Sequence, residues 1–390
     1  MSNPKPVRFA AAFLVLGFLC ALVLPLAKTD FTGVPKNSET ENRPLNAFPA
    51  WSWKWADIDT FPARFEAAFN DHFGFRALLV RWHSRFKLRG LGVSPSKEVI
   101  LGKQGWLFYS DSVKEYRGAK TMPPAKADAW VAELKAKKEW LARRNIRYLL
   151  VVAPNKEEVY PEYLPDTVRR VRDHRYLDDI LARLGKDSGV EILDLREALQ
   201  KAKGLGLVYD RTDTHWSQLG TFTASNEILL RLQRWFPDLQ PEALAGRTLS
   251  RQQGLGGDLA YMIGLPEELP EERTLVSPSP AFPFANGTPL RLQRQWPTGE
   301  LKEEPMAFES KTSGRKLTLL VTGDSFGRGL MQFLPEHFAR VVRLRPEIPY
   351  TPWFQALLPA LVEAEKPDVY LDVFVSRGLK TPPATRLGEK

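Results

Sequence analysis

Strand-like and helix-like segments alternate from Glu98 to Val375, which predicts an α/β fold: a parallel sheet flanked by helices on both faces. Two further observations refine that reading. Ile146–Ala153 (IRYLLVVA) is a nearly continuous apolar run, as expected for a strand buried on both faces. Near the N-terminus, Phe9–Ala27 carries no charged residue and is long enough to cross a bilayer as one transmembrane helix. The 390 residues are 43% hydrophobic and 26% charged, the balance of a folded chain. The net charge of +9 and the pI of about 9.4 suit an acidic partner: an anionic glycan, a membrane surface or nucleic acid. With no zinc finger, arginine-rich arm or aromatic–basic RNA signature, nucleic acid ranks last.

The elements follow in order. Lys5 and Arg8 precede the apolar run, and Lys28 and Asp30 close it. That positive flank places residues 1–8 in the cytoplasm and makes 9–27 a signal anchor. A cleaved signal peptide is the other reading, since Pro25, Leu26 and Ala27 suit a cleavage site. The run, though, exceeds the roughly 7–15 apolar residues of a signal core. On either reading the chain after Lys28 is exported. The lone Cys20 excludes an intrachain disulfide or a thiolate metal site. It follows Phe18 and Leu19, unlike a lipidation site, and reads as a small hydrophobe within the span.

Residues 28–95 read as a connector, extended over 30–62 and helical in two pieces over 63–89, broken near Gly74. A domain over 96–390 follows. Glu98–Leu101 and Trp106–Tyr109 read as strands around a turn at Lys103–Gly105. Lys126–Arg144 is a helix with Trp130, Val131, Leu134 and Leu141 on one face. After the Ile146–Ala153 strand come a helix at Tyr176–Leu184, a strand at Val190–Leu195 and a helix at Ser217–Trp235. Residues 240–312 are dense in Pro, Gly, Glu and Arg and read as an insertion with some local structure. Either a substrate-contacting flap or a surface excursion fits it. A strand at Lys316–Thr322, a helix after Ser325, a strand at Val341–Leu344, a helix at Pro352–Glu365 and a strand at Val369–Val375 complete the pattern.

Two short stretches carry chemistry. In the first, Val321–Leu330, a strand ends at Thr322, Gly323 permits a tight turn and a helix starts just after Ser325. This puts a hydroxyl at the carboxyl end of a parallel strand, where open α/β sheets bind ligands. Backbone N–H groups of the helix start are then available to a developing oxyanion. An ordinary strand–turn–helix with Asp324 or Ser325 as N-cap gives the same letters. The second stretch is Tyr209–Ser217 (YDRTDTHWS). A serine needs a base to take its proton, and a histidine base needs a carboxylate to hold its tautomer. Asp213 and His215 are two apart, so in extended chain their side chains share one side. His72, His83, His174 and His337 lack such a carboxylate before a helix start. No second histidine or cysteine sits at ligand spacing, so neither a metal nor a cofactor is expected.

Asp213–Ser217 (DTHWS), Gly323–Phe326 (GDSF), Gly102–Tyr109 (GKQGWLFY) and Pro154–Glu162 (PNKEEVYPE) together resemble the alginate O-acetyltransferase family of AlgJ/AlgX type, from about Glu39 through Glu41–Pro44 to Arg377. The resemblance implies an SGNH-hydrolase-like fold, with the Asp-x-His pair ahead of the serine. It implies Ser325 as nucleophile, His215 as general base and Asp213 as orienting carboxylate. It also implies an acetyl-serine intermediate and acetyl supply from a membrane-bound partner acyltransferase. An appended carbohydrate-binding module is not expected.

Weaker candidates surround these. Asn155 and Lys156 follow a buried strand, and Lys156 reads equally as a contact to an anionic sugar or as a solvated lysine. Arg328 reads as a carboxylate contact or a surface arginine. Tyr109 and Trp216 read as sugar-stacking or core aromatics. Three functions fit: O-acetyl transfer onto an exopolysaccharide (alginate-like or cellulose-like), acetyl-ester hydrolysis by the same triad, and an idle scaffold in an export complex. The expected location is the inner membrane, single-pass, with the catalytic domain in the periplasm.

Overall fold

A computed structural model describes residues 5–32, 45–51, 54–119, 121–185, 188–277, 288–289, 305–309, 314, 316–345 and 352–382. The Glu39–Pro44 start of the family resemblance lies outside them, as does much of 240–312. The chain forms two compact units: residues up to Val99 with Asp258–Leu269, and Ile100–Gly257 with the chain from Pro270 onward.

The first unit is helical. It contains α1 (Lys5–Ala27), α2 (Trp55–His72), α3 (Arg76–Arg85) with a π-turn at Phe86–Gly90, and a short helix at Asp258–Met262. Phe9–Ala27 has a mean hydropathy of 2.6 and the length to cross a membrane. Helix α2 starts at Trp55, eight residues ahead of the expected start, and keeps Pro62 inside it. Pro62 removes one backbone hydrogen bond. Phe61, Phe65, Phe69 and Phe73, spaced four apart, run along the same helix with ring centroids 5.9, 6.2 and 5.5 Å apart. The expected break falls at Phe73–Phe75, where Phe75 adopts a φ of 62°.

The second unit holds the sheet. Its elements are β1 (Val99–Leu101), β2 (Leu107–Tyr109), α4 (Ser110–Tyr116), α5 (Pro124–Ala142), β3 (Arg147–Ala153), α6 (Lys156–Val159), α7 (Tyr176–Leu184), β4 (Glu191–Asp194), α8 (Arg196–Ala202), α9 (Gln218–Leu232), β5 (Leu249–Gly254), β6 (Glu271–Val276), β7 (Thr288–Pro289), β8 (Met306–Glu309), β9 (Thr318–Gly323), α10 (Phe326–Leu330), β10 (Arg340–Arg343), α11 (Pro352–Glu365) and β11 (Val369–Val375). The seven-stranded sheet has the order β4-β3-β11-β9-β10-β8-β7. Its first five strands pair in parallel, while β8 joins β10, and β7 joins β8, antiparallel. The sheet is therefore not purely parallel: the 240–312 region supplies an antiparallel edge, and β5 and β6 form a separate antiparallel pair. These strands are short and carry Arg, Gln and Glu, so their period of two was not visible in the letters.

Alternation along β3 assigns each face. Leu149, Val151 and Ala153 pack with Leu219, Phe222 and Leu330 under α9 and α10. Tyr148, Leu150 and Val152 pack with Trp130, Leu134, Leu177 and Leu358 under α5, α7 and α11. A buried polar cluster interrupts the second face. Asp372 on β11 accepts from Lys137 Nζ and Tyr148 Oη at 2.8 Å each and from Thr322 Oγ1 at 2.6 Å. Helices α4, α6 and α8 were not expected; at 4–7 residues they are too short to show a helical period.

Candidate active site

In the sheet the chain moves one way from β3 to β4 and the other way from β9 to β10, with β11 between. The carboxyl ends of β3 and β9 thus flank the crevice where such sheets bind ligands. Ser325 follows β9, and Asn155 and Lys156 follow β3.

The Ser325 turn is fixed by its neighbours. Gly323 has a φ of 130°, and a Cβ there would lie 2.0 Å from the Val373 carbonyl oxygen. Only glycine allows β9 to approach β11 this closely while turning. Asp324 N–H donates to the same Val373 oxygen at 3.0 Å. Its carboxylate accepts from Phe326 N–H at 2.9 Å and from Val375 N–H at 2.7 Å. Burial pushes the Asp324 carboxyl up, against those two hydrogen bonds and the charges of Arg377 and His215. The expected donors at the helix start are engaged. Phe326 N–H is held by Asp324 Oδ1, Gly327 N–H donates to Asp324 O at 3.3 Å, and Arg328 N–H donates to Ser325 O at 3.1 Å.

The histidine stands on a loop closed by an antiparallel bridge between Tyr209 and Trp216. Ser217 ends the loop and caps α9, accepting from Gly220 N–H at 3.2 Å. Two buried side chains hold the loop from outside. Lys156 Nζ donates to the carbonyls of Asp210, Arg211 and Asp213 at 3.3, 3.0 and 2.7 Å. Glu271 accepts from the N–H groups of Arg211 and Thr212 at 3.1 and 2.8 Å and from Thr212 Oγ1 at 2.6 Å. Gly257 lies so close that a Cβ would meet Asp213 Cβ at 2.4 Å. Asp210, on the same loop, is pushed up to about 7 by burial, with Glu271 and Asp213 acting in the same sense.

These two segments bring three candidates together. Asp213 Oδ1 lies 2.8 Å from His215 Nδ1 and also accepts His215 N–H at 2.9 Å. His215 Nε2 lies 2.7 Å from Ser325 Oγ. With Nδ1–H donating to Asp213, Nε2 is the acceptor that faces the serine proton, as a nucleophile–base–orienter set requires. The Phe326 ring covers one side of the imidazole at 5.1 Å.

The weaker candidates fall elsewhere. Lys156 is 3% exposed, and its ammonium sits 5.5 and 5.2 Å from the rings of Trp106 and Phe108. It clamps the histidine loop and does not face a sugar. Asn155 is fully buried, caps α6 and donates to Glu115 Oε2 at 2.9 Å. Trp216 is core, edge-on to Phe326 at 5.0 Å. Arg328 is exposed and Tyr109 half-buried. Arg377, not singled out in the sequence, lies 5.6 and 5.5 Å over the rings of Tyr109 and Phe326 and reaches Asn155 Oδ1 at 3.4 Å. It also lines a cleft of about 320 Å³ with Asp111, Lys114, Arg117, Tyr176 and Lys380. Its aromatic partners are far apart in the chain, so no local pattern announces it.

Glu157 and Glu158, which follow Lys156 on α6, are buried. Burial pushes Glu157 up to about 7 and Glu158 up to about 8. Elsewhere in the unit, Glu242, Glu336 and His337 converge, but Arg247 donates to Glu336 Oε1 at 3.2 Å and pairs with Glu242, so a guanidinium already supplies the positive charge.

Residues 99–281 match the family described as the SGNH hydrolase-like domain of acetyltransferase AlgX. That stretch includes Asp213 and His215 and ends before Ser325. The chain is 33% identical over 130 residues to a probable alginate O-acetylase AlgJ of Pseudomonas aeruginosa, covering 33% of this chain and 32% of that protein. It is 26% identical over 232 residues to the Pseudomonas putida protein of the same name, covering 58% and 54%. The matches thus span between about a third and a half of these relatives. Bacillus cereus PatB1 superposes with a TM-score of 0.54 at 16% identity, covering 72% of this chain and 96% of that structure. The fold is SGNH-hydrolase-like, and the chain resembles the AlgJ/AlgX proteins; the family match takes in three of the four motifs and stops short of Gly323–Phe326.

Proposed function

We propose that this chain transfers acetyl groups onto hydroxyls of an exopolysaccharide through an acetyl-serine at Ser325. The carrying observation is the run of contacts Asp213 Oδ1–His215 Nδ1 and His215 Nε2–Ser325 Oγ, at 2.8 and 2.7 Å. In the first step Ser325 Oγ attacks the donor carbonyl while its proton passes to His215 Nε2. That proton leaves with the donor's leaving group, and Ser325 keeps the acetyl. In the second step a sugar hydroxyl gives its proton to His215 and attacks the acetyl carbon, and the proton then returns to Ser325 Oγ. Asp213 stays ionised, holding the tautomer and balancing the imidazolium.

The names of the AlgJ relatives support an alginate-like acceptor. The cleft lined by Lys114, Arg117, Arg377 and Lys380 supports an anionic one. Phe9–Ala27 supports an inner-membrane anchor, with residues 1–8 cytoplasmic, a connector over 28–95 and the 96–390 domain in the periplasm. A membrane-bound acyltransferase is then the acetyl supplier. The test supplies the full chain with a chromogenic acetyl ester, with and without glycan oligomers, beside Ser325→Ala. Acetyl on the Ser325 peptide, and its passage to an oligomer only in wild type, is the expected result. Acetate release unaffected by any glycan makes the chain an esterase. Absence of acetyl-serine, with the variant like wild type, overturns the serine assignment.

A further inference from the structure

The first unit carries a surface that the acetyl-transfer chemistry does not use. On α3 and its π-turn, Phe75, Leu78, Leu79, Trp82 and Phe86 are all exposed, Trp82 by 61% and Phe86 by 63%. Their spacing of three and four places them on one stripe along the helix. The opposite side is the packed one: Ser84 is buried, and Gly264 approaches Val80 and Ser84. Between Arg76 and Gly90 the charges are Arg76, Arg81, Arg85, Lys87 and Arg89, with no acidic residue. Helical spacing sets Arg76 and Lys87 to one side of the stripe, and Arg81, Arg85 and Arg89 to the other. The second set also pairs with Glu267 and Glu268. An apolar stripe with a tryptophan at its centre and cations along both margins is the composition of a helix lying in a bilayer interface, where long basic side chains reach up to the headgroups.

What covers the stripe follows from what precedes it. The end of α1 packs on the corner between α2 and α3. Gly74 is so close that a Cβ would lie 2.1 Å from the Pro25 carbonyl oxygen and 2.7 Å from Lys28 Cβ. Thr29 Oγ1 donates to Pro25 O at 3.0 Å and accepts from Gly74 N–H at 3.3 Å, and Asp30 N–H donates to His72 O at 3.2 Å. Helix α3 therefore begins where the apolar span ends, at the depth where an anchored chain leaves the hydrocarbon. We infer that α3 is an interfacial helix that inserts the Phe75–Phe86 stripe into the outer leaflet of the membrane crossed by α1, with its basic margins on anionic headgroups. This rests on the reading of α1 as a membrane anchor.

The test uses the full chain in vesicles of phosphatidylethanolamine and phosphatidylglycerol, and separately in phosphatidylcholine. An environment-sensitive fluorophore is placed at Leu79→Cys or Trp82→Cys in a Cys20→Ser background. Leu205→Cys, an exposed leucine of the other unit, is the control, and the native Cys20 reports on the span. All the new sites are exposed, and circular dichroism checks the fold. At positions 79 and 82 the expected results are a blue-shifted emission, quenching by lipid-borne quenchers and loss of quenching by aqueous iodide. Both lipid effects weaken in phosphatidylcholine, and position 205 shows neither. Lipid quenching at Cys20 with none at 79 and 82 sinks the interfacial helix and leaves the anchor standing. Absence of lipid quenching at Cys20 as well sinks the anchor. Protection of position 79 only when another membrane protein is added makes the stripe a protein-docking face and overturns the inference.

Discussion

Ser325 and His215 meet at 2.7 Å, yet the structure holds them by different groups: backbone of a neighbouring strand for one, charged side chains for the other. Ser325 stands on a turn pinned by backbone contacts to the neighbouring strand β11. A strand ends, Gly323 takes a conformation other residues resist, and Asp324 locks the Phe326 amide. His215 stands on a loop with one backbone bridge, held by Lys156 and Glu271, 57 and 59 residues away in the chain from the atoms they bind. Burying an ammonium against three neutral carbonyls is costly unless each contact is made. A strand–turn–helix set against a neighbouring strand holds its nucleophile through backbone contacts. The base on its loop is held by charged side chains that the tertiary fold brings to it.

The comparison breaks first if the two halves do not act as one. Ser325→Ala and His215→Ala should each lower acetyl transfer by about 10⁴-fold or more, and the double variant should be no worse than either. Steady-state rates on one ester show this; additive losses would mean the two side chains work separately. Gly323→Ala strikes the backbone-held half. A Cβ in contact with the Val373 carbonyl should cost at least about 2 kcal/mol in urea unfolding, with activity lost in the fraction that stays folded.

Lys156→Met strikes the other half. Releasing the loop should lower kcat by about 10–100-fold through misplacement of His215 while the acceptor KM holds. A rise in KM with kcat intact would instead put Lys156 on the sugar. Next to it, Glu157 and Glu158 sharpen the picture through pH. In the fold both favour the protonated form. Their contribution is therefore fully present below the ordinary carboxyl value of 4.5 and is lost as pH rises to about 7 for Glu157 and about 8 for Glu158. Glu157→Gln should remove roughly 1–3 kcal/mol of that fall, seen as a flatter Tm between about pH 5 and 8. Arg328→Ala, on an exposed side chain of α10, should change stability by less than about 0.5 kcal/mol and leave transfer near wild type.

Much of this was legible in the letters, because the signals were local. Tyr176–Leu184, Pro352–Glu365 and Val369–Val375 have the bounds their periodicity predicts, and Leu219, Phe222, Ile228, Leu229 and Leu232 are all buried. The apolar run of β3 announced a strand covered on both faces, and the Gly323–Ser325 turn and the Asp213–His215 spacing each stood out alone. Taken singly, neither said that the two would meet; only the family resemblance implied it. The fates of Lys156, Asn155 and Trp216 were hidden as well, since a lysine after a buried strand reads the same whether it faces a sugar or a ring of carbonyls. Tertiary structure decided that by closing the loop over it. Arg377 emerged in the same way, from aromatics and an amide brought together from β2, α10 and the end of β3. By itself the sequence determined the alternation of elements, the apolar span and the residue types for acyl chemistry, because each is written within a few turns of chain. Only the fold decided which charges are buried, which amides are already engaged and which apolar stripe is left exposed, because those depend on what arrives from far along the chain.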